Sequence, residues 1–512
     1  LATATDNRRI AKNTLMLYFR MFITMGIALY TSRVVLNQLG VVDFGVFNVV
    51  GGLVSMMAFL NASMSLASQR YFAYDIGCGN QTQLQRTFST AVNVHLVIAL
   101  ISILLAETLG LWVFWKFLDI PAESRGAAIW VFHLAIFQMA LGIITVPFSS
   151  LAVAFEKMSS FAYISILESV LKLSVAFLLT WILYNKLILY SILLASATSI
   201  ISTTWIIYDY HKFKHCRYIR LWDKSVFRQL LSFMGWQTVG SLTWMLRTQG
   251  INVILNSFFG PVVNAARGIA VQVNTAVMQF VSNFQMASNP QITKHYAAGE
   301  LPAMCNLIMR SSKISFLLMF VISLPIIIET EPILRLWLKI IPDYGVIFVR
   351  LMLISTLCDL LSGTLVYGAL ATGKIKRYQL IISSILILEV VVAVIAYKMG
   401  YAPQSVFYIE MVLYLVTLAA RLLLLRRMIG LSIRAFASTV LLPEIKVILM
   451  ALAITLCIDR LLSGSPASTV IVMASSVATA LVSAYFLGLT RHERQWITEK
   501  VKTRLTSSTP KH

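Results

Sequence analysis

Runs of roughly 20 apolar residues recur along the whole chain, separated only by short polar stretches. At 1.5 Å rise per residue, each run is long enough to cross a hydrocarbon core about 30 Å thick. A backbone surrounded by lipid must satisfy its own hydrogen bonds, and a helix does so within a single run. With 58% hydrophobic and 12% charged residues among 512, and a mean hydropathy of +0.79, almost no sequence remains for a soluble domain. The expected fold class is an all-α polytopic membrane protein with about fourteen transmembrane helices.

The runs place spans near 13–36, 45–69, 88–113, 127–152, 160–183 and 187–208, then near 231–256, 264–286, 312–337, 346–370, 379–397 and 404–425. A last pair falls near 443–461 and 467–489. The first run is longer than the apolar region of a signal peptide and carries Arg20 and Arg33, so it is expected to stay as a span.

A net charge of +21 would point to nucleic acid in a soluble protein, but here the basic residues collect in alternate short loops. One set holds Arg8, Arg9 and Lys12, then Arg86, Lys157, the stretch from His211 to Arg228, Lys294, Arg310, Lys374, Lys376, Arg377, Arg426, Arg427 and Arg434. Positive loops are retained inside during insertion, so both termini are expected in the cytoplasm, and no nucleic-acid partner is expected. The five cysteines show no CxxC pattern or metal-ligand spacing, which argues against a disulfide framework and a metal centre.

The sequence also repeats. Leu36-Asn37 with Gly40 resembles Leu255-Asn256 with Gly260; Gln69, Tyr74 and Gly77 match Gln291, Tyr296 and Gly299; Glu107-Thr108 and Trp115 match Glu329-Thr330 and Trp337. An offset near 220 at every anchor predicts two homologous halves. The expected domains are an N-terminal lobe (1–210), a basic connector (211–230), a C-terminal lobe (231–427), an extra helix pair (428–490) and a cytoplasmic tail (491–512). Two lobes of even span number, related by an axis along the membrane normal, are the plan of carriers that work by alternating access at a central cavity.

Ionisable residues inside spans are costly unless they snorkel, pair or line water, so each is a candidate for function. Asn13, Arg20, Thr24 and Thr31 share one stripe of the first span, with Arg33 away from it near the far end. Arg247 lies near the middle of the seventh span, too deep for easy snorkelling, and is the foremost candidate. The eighth span carries Arg267, Asn274 and Gln285. In the fifth span, Glu168 and Lys172 are spaced to pair with one another. The cationic excess of the first and seventh spans suggests an anionic substrate, because guanidinium groups grip phosphate or carboxylate oxygens in a low-dielectric chamber, and Arg20, Arg33, Lys172, Arg247 and Arg267 are the candidates to line it. Glu168, Asp359, Glu389 and Glu410 could carry coupling H+ or Na+, with a structural hydrogen-bonded acid as the alternative for each. Pro147, Pro290 and Pro325 are expected to kink or end their spans. No catalytic residue and no bound cofactor is indicated.

Asn13-Thr14-Leu15 with Arg20, the run from Leu29 to Leu36, Leu39-Gly40, Asp43-Phe44-Gly45, Val49-Val50-Gly51-Gly52 and Gln69-Arg70-Tyr71 resemble the start of Wzx-type polysaccharide flippases. Asn289-Pro290-Gln291 adds to the likeness. These flippases belong to the MOP exporter superfamily with the MATE multidrug transporters and the lipid II flippases. The resemblance implies a carrier, not an enzyme, that moves an undecaprenyl-pyrophosphate-linked oligosaccharide, such as an O-antigen repeat unit of lipopolysaccharide, from the cytoplasmic to the periplasmic leaflet. It implies a cationic cavity, the last helix pair facing the prenyl chain, and membrane lipids and polysaccharide-assembly proteins as partners. A MATE-like multidrug or ion-coupled antiporter is the nearest alternative, although the first span offers no acid for it. A membrane glycan polymerase or ligase is the alternative from another class, and the short periplasmic loops argue against its active site.

Overall fold

The computed structural model describes residues 4–55, 58–117, 123–181, 185–338, 341–462, 466–490 and 493–494. These residues form helices and no strands. The first half contains α1 (Ala4–Ser55), α2 (Ala58–Gly77), α3 (Gln81–Leu105), α4 (Leu111–Phe117), α5 (Arg125–Ala154), α6 (Met158–Trp181) and α7 (Lys186–Lys212). The second contains α8 (Lys224–Ala297), α9 (Leu301–Ile328), α10 (Thr330–Trp337), α11 (Gly345–Leu360), α12 (Leu365–Ala371), α13 (Lys376–Lys398) and α14 (Ser405–Ile429). The chain continues through α15 (Ile433–Phe436), α16 (Leu442–Leu462) and α17 (Pro466–Ser483).

Among the described residues, nine helices are long and apolar enough to cross a membrane, and the bent pair α11 and α12 makes a tenth. That is fewer than fourteen. The long helices α1 and α8 are not among the nine, and they carry much of the polar sequence discussed above. Helices run through Pro147, Pro290 and Pro325 rather than ending there. The expected tail lies outside the described residues from 495 onward.

The repeat is visible in the element boundaries. Helices α3 and α9 start 220 positions apart, α4 and α10 end 220 apart, and α5 and α11 start 220 apart. Each long helix is interrupted once, α1 at Gly40 (φ 77°, ψ 170°) and α8 at Gly260 (φ 81°, ψ −178°), again 220 apart. Backbone at positive φ with ψ near 180° is open essentially to glycine alone. A Cβ at either position would meet nothing within 4 Å, so the requirement is conformational and not one of space.

The chain forms two compact units. Unit 1 comprises Leu1–Leu242, Met286–Glu300 and Leu370–Gln379; unit 2 comprises Thr243–Gln285, Leu301–Ala369 and Leu380–His512. One core of unit 1 gathers Val46, Val50, Phe114, Phe132 and Ile136 from α1, α4 and α5. The core of unit 2 gathers Ile251, Leu255, Phe316, Phe320, Phe348 and Phe407, with the rings of Phe348 and Phe407 5.0 Å apart.

Unit 1 thus includes segments that follow Lys224, and they fit closely. A Cβ on Gly77 would fall 2.8 Å from the Lys294 carbonyl oxygen and from the Ala297 Cβ, so the close approach at this point requires glycine. The Arg70 guanidinium donates to the Ala371 carbonyl through Nη2 at 2.9 Å and Nε at 3.3 Å. Glu156, in the left-handed region at φ 59°, accepts from Lys294 Nζ at 2.5 Å and Gln291 Nε2 at 3.2 Å.

A buried arginine and carboxylate cluster in unit 2

Four helices of unit 2 bring charged and polar side chains to one point. Arg247 comes from α8, Ser355 from α11, Glu389 from α13, and Glu410 and Tyr414, one turn apart, from α14. Arg247 uses both edges of its guanidinium. Nε pairs with Glu389 and Nη2 with Glu410. Arg247 Nη2 also donates to the Tyr414 hydroxyl at 2.5 Å, and its guanidinium carbon stands 4.9 Å from the centre of the Tyr414 ring. The remaining capacity of Glu410 is filled by Ser355 Oγ, donating at 2.7 Å, and by the Tyr414 hydroxyl, donating at 3.0 Å. Arg247 is 7% exposed and Glu389 3%.

Arg267 joins the edge of the cluster. It is buried, donates to Asn252 Oδ1, and lies within electrostatic reach of Glu389 and Glu410. Two arginines and two carboxylates therefore share the site. At low dielectric a lone buried charge is far costlier than a paired one. The pairing also explains how Arg247 can lie so deep in the unit.

Arg247, Arg267, Glu389 and Glu410 thus stand together, and Arg247, expected as a cation open to cargo, is occupied by two carboxylates. The other candidates lie elsewhere. In unit 1, the Arg20 guanidinium stands 5.2 Å from the Phe161 ring centre and within electrostatic reach of Glu168, while Lys172 Nζ donates to Glu168 at 2.7 Å. Asn13 and Thr31 are buried, and Thr24 donates to the Met21 carbonyl at 3.2 Å. On α1, Leu15, Phe19, Phe22 and Met25 are exposed, so this part of the helix presents an apolar face outward. The side chain of Arg33 lies outside the described residues. In unit 2, Gln285 Nε2 donates to Ser315 Oγ at 3.4 Å, and Asn274 Oδ1 is buried without a hydrogen-bond partner among the described residues. Asp359 is 3.5 Å from Arg421 Nη1, which donates to Ser362 Oγ at 2.5 Å beside the break between α11 and α12.

Sequence reasoning passed over Tyr414, Ser355, Asn252 and Arg421. Arg421 carried the same signal as Arg247, a full charge inside an apolar run. The hydroxyls carried none, because serine and tyrosine are unremarkable in membrane helices until a charge is seen beside them. No group of three or more His, Cys, Asp or Glu side chains is arranged to hold a metal ion among the described residues.

No protein-family model matches the chain, and no curated protein matches it in sequence. Solved structures do match in shape. A MATE transporter in complex with MaD3S superposes with a TM-score of 0.71 at 12% identity over 83% of this chain and 97% of that one. An outward-facing multidrug resistance MATE transporter of the MOP superfamily gives 0.72 at 11% over 83% and 96%. A MOP superfamily transporter from Pyrococcus furiosus, described as having a binding pocket of reverse polarity that suggests a different function, gives 0.69 at 12% over 84% and 96%. At such identities the likeness shows the fold, an all-helical, multi-pass membrane fold like that of the MATE and MOP superfamily transporters, and the fold alone.

Proposed function

We propose that this protein is an ion-coupled flippase of the bacterial inner membrane, moving an undecaprenyl-pyrophosphate-linked oligosaccharide from the cytoplasmic to the periplasmic leaflet, with both termini cytoplasmic. The observation that carries the proposal is Arg247 held between Glu389 and Glu410 inside the membrane. While both acids are ionised they occupy the guanidinium. Protonation of either acid removes its claim on Arg247 and leaves a net positive site with Arg267 alongside, able to take up pyrophosphate oxygens. Loss of the proton returns the carboxylate to Arg247 and expels the anion. H+ is thus carried together with the anionic cargo, with Na+ as the other ion to try. The stretches Asn13 to Arg20 and Leu29 to Leu36 support this choice of cargo through their resemblance to the Wzx-type flippases.

The test is a leaflet-accessibility assay for the lipid-linked glycan in vesicles holding only this protein, with and without an imposed pH or Na+ gradient. Gradient-dependent transfer is expected, with Arg247→Ala impaired much more than Arg247→Lys. Equal impairment by both variants would count against a simple charge requirement. A second reading, a MATE-like exporter of organic cations, is favoured by the same two carboxylates, to which a cationic cargo could bind in place of Arg247. It predicts gradient-driven efflux of such cations with no glycan transfer, and normal surface polymer in a deletion strain.

A further inference from the structure

Away from the buried cluster, unit 1 holds a half-open cavity of about 450 Å³ where α2 turns into α3 and where the segments after α5 and α7 meet them. Its wall includes the stacked rings of Phe155 and Phe213, 4.6 Å apart. Lys157, Lys212 and Lys214, all three exposed to solvent, line it, and none of the three ammonium groups has an ion-pair or hydrogen-bond partner among the described residues. Asp75 lines it too and is more than nine-tenths buried. Thr87 bonds to the Asp75 carboxylate, yet Oδ2 has no hydrogen-bond partner among the described residues. The start of α3 is already satisfied, because the Asn80 side chain accepts from the Gln83 N–H at 3.0 Å, so the helix terminus adds nothing to the site.

A basic rim and a buried, incompletely bonded carboxylate therefore share one cavity, with Arg70 within electrostatic reach of the carboxylate. Three like charges around one half-open cavity favour an anion there, and phosphate oxygens suit lysine ammonium groups. A buried carboxylate oxygen without a donor is costly until a donor arrives. We propose that this cavity binds a phosphate ester bearing an amine or hydroxyl group, with Lys157, Lys212 and Lys214 on the phosphate and Asp75 accepting from the donor. The basic residues place this face on the cytoplasmic side, where both soluble phosphate esters and inner-leaflet headgroups are within reach. The site is independent of the cargo assigned to the carrier.

The test uses the full chain with two probes of the same chemistry. Glycerophosphoethanolamine is titrated calorimetrically into protein in detergent, and retention of phosphatidylethanolamine is counted by native mass spectrometry after extraction from nanodiscs of phosphatidylcholine with and without that lipid. Saturable binding of the soluble probe identifies a free ester as ligand; retention of the lipid alone identifies a headgroup. In either case the Lys157→Gln/Lys212→Gln/Lys214→Gln variant is expected to bind the responding probe at least tenfold more weakly, and the isosteric Asp75→Asn variant to be weakened as well. Monodisperse elution and an unchanged melting temperature show that each variant is folded. Absence of binding to both probes, or an unchanged affinity in either variant, overturns the proposal.

Discussion

Removing Arg247 should be far more damaging than removing everything it holds. In Arg247→Ala, Glu389 and Glu410 lose the guanidinium that they share, and Ser355 and Tyr414 can compensate only Glu410. Breaking a buried ion pair by deleting one partner costs about 3–5 kcal/mol, because the remaining charge stays buried. Here two carboxylates remain, close to one another, and at least one must take up a proton for the unit to stay folded. Replacing the whole set, Arg247→Leu/Arg267→Leu/Glu389→Leu/Glu410→Leu, removes the charges together, and such replacements are often neutral or stabilising by about 1–4 kcal/mol. The assay is thermal unfolding of the full chain in detergent between pH 5 and 8. The single variant should melt well below the parent and recover as the pH falls, since protonation neutralises the stranded acids, whereas the quadruple variant should melt near the parent at every pH and be inactive in transport. A quadruple variant as unstable as the single one, or a single variant as stable as the parent, would refute the reasoning.

Glycine positions give two further expectations. Gly260→Ala forces a side chain into backbone reserved for glycine and should cost roughly 1–3 kcal/mol, while Gly268→Ala in the same helix, also with nothing within 4 Å, should be neutral or slightly stabilising; melting temperatures decide. Gly77→Ala should destabilise by about 1–3 kcal/mol through the Lys294 carbonyl and Ala297, with Gly126→Ala as an unhindered control in the same melting assay. Burial, reinforced by the nearby Asp209 carboxylate, pushes the Cys216 thiol up to about 11, so at pH 8 maleimide should label exposed Cys78 and leave Cys216 unmodified. Equal labelling of the two, measured by mass spectrometry, would contradict the burial of Cys216.

Much of the fold was legible because its determinants are local. The length of each apolar run predicts a helix without knowledge of its neighbours, and the match of Leu36-Asn37 and Gly40 with Leu255-Asn256 and Gly260, an anchor of the repeat in sequence, places equivalent glycines at the interruptions of the two long helices. The count of fourteen spans is not confirmed, since the polar residues of α1 and α8 keep these two long helices from counting as apolar spans among the described residues. At the site, the charges themselves could be read, because any charge in an apolar run stands out. Their partnership could not. Arg247 and Glu389 are separated by more than a hundred residues, and only packing decides whether an arginine meets carboxylates or open space. For the same reason the compact units differ from the contiguous lobes expected from the repeat: Met286–Glu300 and Leu370–Gln379 join the first unit through contacts such as Arg70 to Ala371.

That borrowing bears on any attempt to divide the polypeptide. A break in the basic connector would leave the upstream fragment without the stretches that satisfy Arg70 and Glu156, so that fragment should not be self-sufficient despite the matched helix boundaries along the chain. Co-expressed, the upstream fragment would have to recover those stretches from its partner, which makes functional complementation between split pieces a direct gauge of that dependence.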